Sequence, residues 1–302
     1  MRWYSNHAVQ SGLSKSMENR EVIWAQFPNS GDKPFWARRA KVTSAHSVDY
    51  WTSALNRDFN SIGVFIGSNI INWDAMDVEP PALRAKSFTR QDFAKVWNEY
   101  LTPDDCIKRG INWEDIWVSK TLVFDFDSPL NPLKSFHKAD KVARYLASQG
   151  CSAYLVFSGS KGFHIHINRE DSEKLVGFKL ADFVDHKDPL KKIGRLYADK
   201  VVEICSLAGI SYDNEDRSPN FRQGIIRCPY SIHPKTGQVV WPLSGKNIKD
   251  LRKHEKLSVI EISKILHDWD IESQSKIAKD YDITYITPEY KVENRGLIAW
   301  IP

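Results

Sequence analysis

Cysteine is scarce in this chain: four among 302 residues, Cys106, Cys151, Cys205 and Cys228, with no Cys-x-x-Cys spacing. A structural zinc site normally carries that spacing, so no structural zinc is expected and the four read as reduced, mostly buried thiols. Long apolar runs are missing too, which excludes a membrane-spanning helix. Arg2, Asn6 and Gln10 break every apolar run near the N-terminus, so no secretion-signal core is read there and the expected location is the cytoplasm. No large surplus of one charge exists either. Forty-two basic against 38 acidic residues leave a net +4, which permits nucleic-acid binding without announcing it. No strong linker divides the chain. It reads as one main unit, residues 1–245, followed by an appendage, residues 246–302, where the character changes to charged helices.

What is present centres on residues 121–128. Leu122, Val123, Phe124 and Phe126 are strand formers interrupted by Asp125 and Asp127. With a two-residue period both carboxylates leave one face of the strand. Two adjacent acids repel and lose hydration, an arrangement that a divalent cation between them relieves. Two more segments follow apolar runs: Ser158-Gly159-Ser160-Lys161-Gly162-Phe163-His164-Ile165-His166, and Arg227-Cys228-Pro229-Tyr230-Ser231-Ile232-His233. Taken singly, an Asp-x-Asp, a Gly/Ser turn and one histidine each have an ordinary structural explanation. Their succession, each at a strand edge, gives them weight.

Elsewhere the pattern is mixed α/β. Strands are expected at 21–27 and 35–40, joined by the turn 28–32, and again at 62–68, 153–157, 163–167, 210–213, 224–227 and 238–242. Helices are expected at 48–55, 90–100, 133–149 (stopped by Gly150), 193–207 (closed by Gly209) and within 248–270. Residues 168–193 read as a polar connection. The alternation of His164 and His166 against Phe163, Ile165 and Ile167 predicts a half-buried strand. Eleven tryptophans are many for this length. Core packing accounts for most, and stacking on nucleic-acid bases for any that are exposed.

The ordered set Phe124-Asp125-Phe126-Asp127, then Ser158 to His164, then an acidic stretch near Asp213, then Arg227 to His233 running into Pro234-Lys235-Thr236-Gly237 resembles the archaeo-eukaryotic primase superfamily. Within it, the chain looks most like the small catalytic subunit of DNA primase, or a stand-alone primase–polymerase, over roughly residues 1–245. The resemblance implies an N-terminal α/β unit packed against a ferredoxin-like antiparallel unit, with a C-terminal helical appendage and, given the cysteines, no zinc knuckle. It implies template-directed nucleotidyl transfer with two Mg²⁺ or Mn²⁺ ions on Asp125, Asp127 and a third carboxylate. Asp213 is the first choice for that third position, with Asp216 and then Glu215 as alternatives. By the same resemblance the nucleotide phosphates meet Arg39, Ser160, Lys161, His164, Arg227 and His233, and backbone N–H groups of the 159–162 turn. Ser158 shapes the turn, and His166 is structural or peripheral. Partners implied are single-stranded DNA template, NTPs or dNTPs, and a large primase subunit or a replicative helicase. The basic run Lys235, Lys246, Lys249, Arg252 and Lys253 is a candidate for template phosphates, against an ordinary solvated face.

Other readings remain open. Within the superfamily, a repair polymerase that extends or joins ends competes with a primer-synthesising enzyme. Outside catalysis, an inactive nucleic-acid-binding module would use the same fold. A metal-dependent nuclease also clusters acids, but it has no need of Lys161, His164, Arg227 and His233 directed at a triphosphate.

Overall fold

The computed structural model describes residues 7–26, 35–39, 62–76, 98–212, 216–233, 235–267, 289–293 and 297–301. The helices expected at 48–55 and over most of 90–100 lie outside these residues. Helix α1 (His7–Met17) places Val9, Leu13 and Met17 at four-residue spacing, and all three are buried. Strands β1 (Val22–Gln26) and β2 (Phe35–Arg39) form the expected antiparallel hairpin, with Val22 opposite Arg39, and β3 (Ile62–Gly67) pairs on the other side of β1.

Next come β4 (Asn69–Ile71), the short helices α2 (Pro103–Ile107) and α3 (Trp113–Ile116), and β5 (Trp117–Lys120), which pairs back with β4. Thr102 caps α2 ahead of Pro103, the pairing of cap and proline that starts helices efficiently. Trp73, Trp113, Trp117 and Trp241 are all buried. The indoles of Trp113 and Trp117 donate to the carbonyls of Leu101 and Tyr100, so these rings are core residues rather than stacking platforms.

Strand β6 (Val123–Asp127) leads through Asn131, which caps α4 (Pro132–Ser148), to β7 (Ala153–Phe157) and β8 (Gly162–Ile167). Strand β8 lies between β6 and β7 and is antiparallel to both, so β6 and β7 are parallel across it. Residues 168–193 are less plain than their polarity suggests. Asn168 caps α5 (Arg169–Val176), and Asp188 caps α6 (Pro189–Leu207), which begins four residues earlier than the apolar spacing predicts because an Asp-Pro pair starts it. Strand β9 (Ile225–Arg227) returns to pair with β3, and β10 (Trp241–Pro242) pairs with β7. Helices α7 (Gly245–Leu251) and α8 (Val259–His267) follow, then a hairpin of β11 (Glu289–Glu293) and β12 (Leu297–Ile301).

The result is a mixed α/β fold with two four-stranded antiparallel sheets, β2-β1-β3-β9 and β10-β7-β8-β6. One face of the second sheet, with Phe124, Phe126, Leu155, Phe163 and Ile165, shares the main core with α4 and α6. Ile248, Leu251, Leu257, Ile262 and Leu266 of the C-terminal helices join that same core. The other face contributes Val123 and Tyr154 to a cluster with α1 and with Val22, Val64 and Ile226 of the first sheet. All six residues of β8 are therefore buried, where the alternation predicted one open face. No helix among the described residues is long and apolar enough to cross a membrane. All four cysteines are free and buried.

Candidate active site

Asp125 and Asp127 leave β6 on the face opposite Phe124 and Phe126, with side chains 14% and 34% exposed. Strand register puts Asp125 beside His164 and Asp127 beside Gly162. Gly162 is there because of that carboxylate: a Cβ on it would lie 2.2 Å from Asp127 Oδ1 and 2.5 Å from the Phe126 carbonyl. Gly159 adopts a positive φ of 77°, and a Cβ there would sit 2.8 Å from His233 Cβ. The two glycines thus bring the turn, the acid strand and the His233 loop close together.

Ser158 shapes the turn, as read from the sequence. Its Oγ accepts the N–H groups of Ser160 and Gly162 at 3.3 and 3.1 Å. Those two donors are consequently committed inside the turn. Lys161 reaches Asp127 Oδ2 at 2.6 Å. That hydrogen bond, with the charges of Asp127, Asp125 and Asp216 behind it, raises the lysine pKa above its usual value.

His164 Nε2 lies 3.4 Å from Asp125 Oδ1. Burial, with His166, Arg227 and His233 nearby, drives its pKa well below the usual histidine value, so this is a neutral imidazole against a carboxylate rather than an ion pair. His233 is neutral for the same main reason: burial, then Arg227 and Lys235, lower it to about 3. Its Nδ1 accepts from the N–H groups of Lys235 and Thr236, both at 3.3 Å, which leaves the proton on Nε2. Arg227 is lowered to about 10 by burial against the opposing pull of Asp125 and Asp127, and stays charged at neutral pH. Its guanidinium lies 5.0 Å from the Phe65 ring centre, and Nη1 is buried without a hydrogen-bond partner among the described residues.

Of the sequence-predicted set, Asp125, Asp127, Ser160, Lys161, His164, Arg227 and His233 come together. Arg39 is in the predicted strand, at the edge of the first sheet opposite the β9 edge that carries Arg227. Its side chain lies outside the described residues, as do Asp213 and Glu215. Asp216 is bridged through its backbone to Asp125 as a neighbouring antiparallel strand would be, and its carboxylate caps Ser218 through N–H and Oγ at 2.7 and 2.9 Å.

The donors suit a hard divalent cation. Carboxylate oxygens are the ligands such a cation takes, and the charges of Asp127, Asp125 and Asp216 all act to raise the Lys161 pKa. Among the described residues, no three His, Cys, Asp or Glu side chains are grouped closely enough to hold a metal alone.

Sequence reasoning missed four polar residues behind the site: Arg20, Lys120, Tyr212 and Asn220. Lys120 is buried and donates to Ser68 Oγ, Asn69 Oδ1 and the Phe221 carbonyl, while Arg20 donates to Gly67 O and Thr121 Oγ1. A lysine closing the apolar run before Leu122 was the available signal for one of them. Nothing local marks the others.

No protein-family model matches the chain. The DNA primase small subunit of Pyrobaculum aerophilum is 27% identical over 169 residues, 44% of this chain and 54% of that relative, so the match spans about half of the relative's length. The polymerase domain of Mycobacterium tuberculosis ligase D, solved in complex with DNA, superposes with a TM-score of 0.51 and 15% identity, covering 93% of this chain and 88% of that one. The fold is similar to that of this polymerase domain over most of both chains.

Proposed function

We propose that the chain is a template-directed nucleotidyltransferase of the primase–polymerase superfamily that extends an existing nucleic-acid end, with deoxy- or ribonucleotides as substrates. The observation that carries this is the pair Asp125 and Asp127 facing Lys161, His164, Arg227 and His233: paired acids alone would serve a nuclease, while the cationic and neutral donors opposite suit a triphosphate. Fold similarity over nearly the whole chain to a polymerase domain bound to DNA favours extension. Sequence similarity to a primase small subunit supports a second reading, synthesis of primers without a pre-existing end. A DNA-binding module without activity is the third.

In the proposed mechanism Asp125, Asp127 and Asp213 would hold two Mg²⁺ or Mn²⁺ ions, with Asp216 and then Glu215 as the alternatives for the third position. Ions bound there would supply charge neutralisation at the α-phosphate and activation of the attacking hydroxyl. Arg227 offers its buried, unpartnered Nη1 to a phosphate oxygen, as a fixed cation in a water-poor setting. His233 donates from Nε2 without carrying charge, because the 235–236 backbone holds its tautomer. Lys161, half exposed at the rim, exchanges Asp127 for phosphate. Ser160, His164 and Arg39 complete the proposed nucleotide contacts. Residues 1–245 would form the catalytic unit and 246–302 the appendage sharing its core. Single-stranded template DNA is the proposed macromolecular partner, with a large primase subunit or helicase attending the priming reading, and the cytoplasm the proposed location.

The deciding assay incubates the purified chain with template DNA, bare or carrying an annealed primer, in Mg²⁺ or Mn²⁺ with NTPs and dNTPs separately. Extension of the primer alone is expected, and its loss in Asp125→Ala and Asp127→Ala. Products on bare template select the priming reading. Full activity in both variants would remove the metal assignment, and template binding with no synthesis under any condition would leave the binding module.

A further inference from the structure

Strand β6 is the outer strand of its sheet, so its backbone away from β8 lacks a full partner strand. The side chains of Tyr212 and Asn220 take that place. Asn220, fully buried, donates its Nδ2 to the Val123 carbonyl at 2.6 Å and accepts the Val123 N–H on Oδ1 at 3.1 Å, reproducing both bonds of a ladder rung. Two residues further along, the Tyr212 hydroxyl accepts the Asp125 N–H at 3.1 Å and lies 3.2 Å from the carbonyls of both Asp125 and Asp216, so its one proton ties Asp216 to the acid strand. The Tyr212 ring packs edge-on against Phe126 at 5.4 Å. The segment is itself anchored: Lys120 donates to Phe221 O, Ser68 to Pro219 O, and Asn69 to Arg222 O.

We infer that Asn220 and Tyr212 are positioning residues that set the height and tilt of Asp125 relative to Asp127 and Asp216, and thereby the divalent-ion affinity of the acid face. This rests on the reading of that face as a metal site. A full strand would pair the edge wherever it lay, whereas two side chains of fixed length define one register at Val123 and Asp125. Second-layer partners of metal ligands typically change affinity about 10- to 100-fold when removed.

The test measures Mn²⁺ binding by electron paramagnetic resonance, with a non-hydrolysable nucleoside triphosphate present, in the wild-type chain and in Asp125→Ala, Asn220→Leu and Tyr212→Phe. Hydrogen exchange of the 121–128 peptide is followed alongside. Asn220→Leu and Tyr212→Phe are expected to weaken Mn²⁺ binding about tenfold with faster exchange in that peptide. A purely structural role would alter exchange but not the ion. If Asn220→Leu fails to fold, Tyr212→Phe, which keeps the ring against Phe126, decides alone. Wild-type-like Mn²⁺ affinity in the folded variants overturns the inference. Wild type and Asp125→Ala binding Mn²⁺ equally would instead refute the metal-site reading beneath it.

Discussion

Among the described residues, His166 has no partner that would favour its charged form. It is 5% exposed, its ring stacks on Tyr154 at 5.4 Å and 9°, and its Nε2 is buried without a hydrogen bond. Burial first, and then the neighbouring Arg20 cation, lower its pKa from 6.5 to about 3. Above pH 6.5 both folded and unfolded chains hold it neutral. Between 6.5 and 3 the unfolded chain takes a proton that the folded chain refuses, so stability falls as pH falls through this window. At pH 5 that single difference amounts to about 2 kcal/mol relative to pH 7.5. His164 is displaced in the same direction and adds to the loss. Phenylalanine at 166 keeps the stacked ring and removes the titration. Urea unfolding followed by tryptophan fluorescence at pH 7.5 and pH 5 should show the wild-type midpoint falling by roughly 1 M more than that of His166→Phe. Midpoints of the two proteins that fall in parallel would mean that His166 is not held neutral, and would refute the burial argument behind the whole histidine face.

Two further outcomes test the packing around the site. Gly162→Ala should lose strand extension or primer synthesis and about 1–3 kcal/mol of stability, because its Cβ would meet Asp127 Oδ1 and the Phe126 carbonyl; an active, wild-type-like alanine variant in paired activity and melting assays would count against the observed closeness of turn and acid. Arg252 donates Nε to Asp140 Oδ2 at 2.9 Å while Asp140 is almost wholly buried, so Arg252→Ala should cost about 3 kcal/mol in denaturant unfolding and speed hydrogen exchange in α7. Unchanged exchange there would show that apolar contacts alone seat the C-terminal helices.

The strand pattern at 122–127 sufficed to put Asp125 and Asp127 on one face, since a period of two is a property of extended backbone and needs no neighbour. The same holds for the α4 boundaries, where Asn131-Pro132 and Gly150 are local signals, and for the role of Ser158 in its turn. Tertiary structure decided what stands opposite those faces. His164 and His166 alternate like a half-exposed strand, yet are buried because α1 and the first sheet close over them. Arg227 reaches the acids only because β9 leaves its own half of the chain to pair with β3. Asn220, in a stretch of Ser, Pro and Asn that reads as a loop, becomes a rung of the acid strand through a contact 97 residues away in sequence. Local periodicity sets which way a side chain points; long-range pairing sets what it meets, and charge, protonation and ligand affinity follow from the meeting.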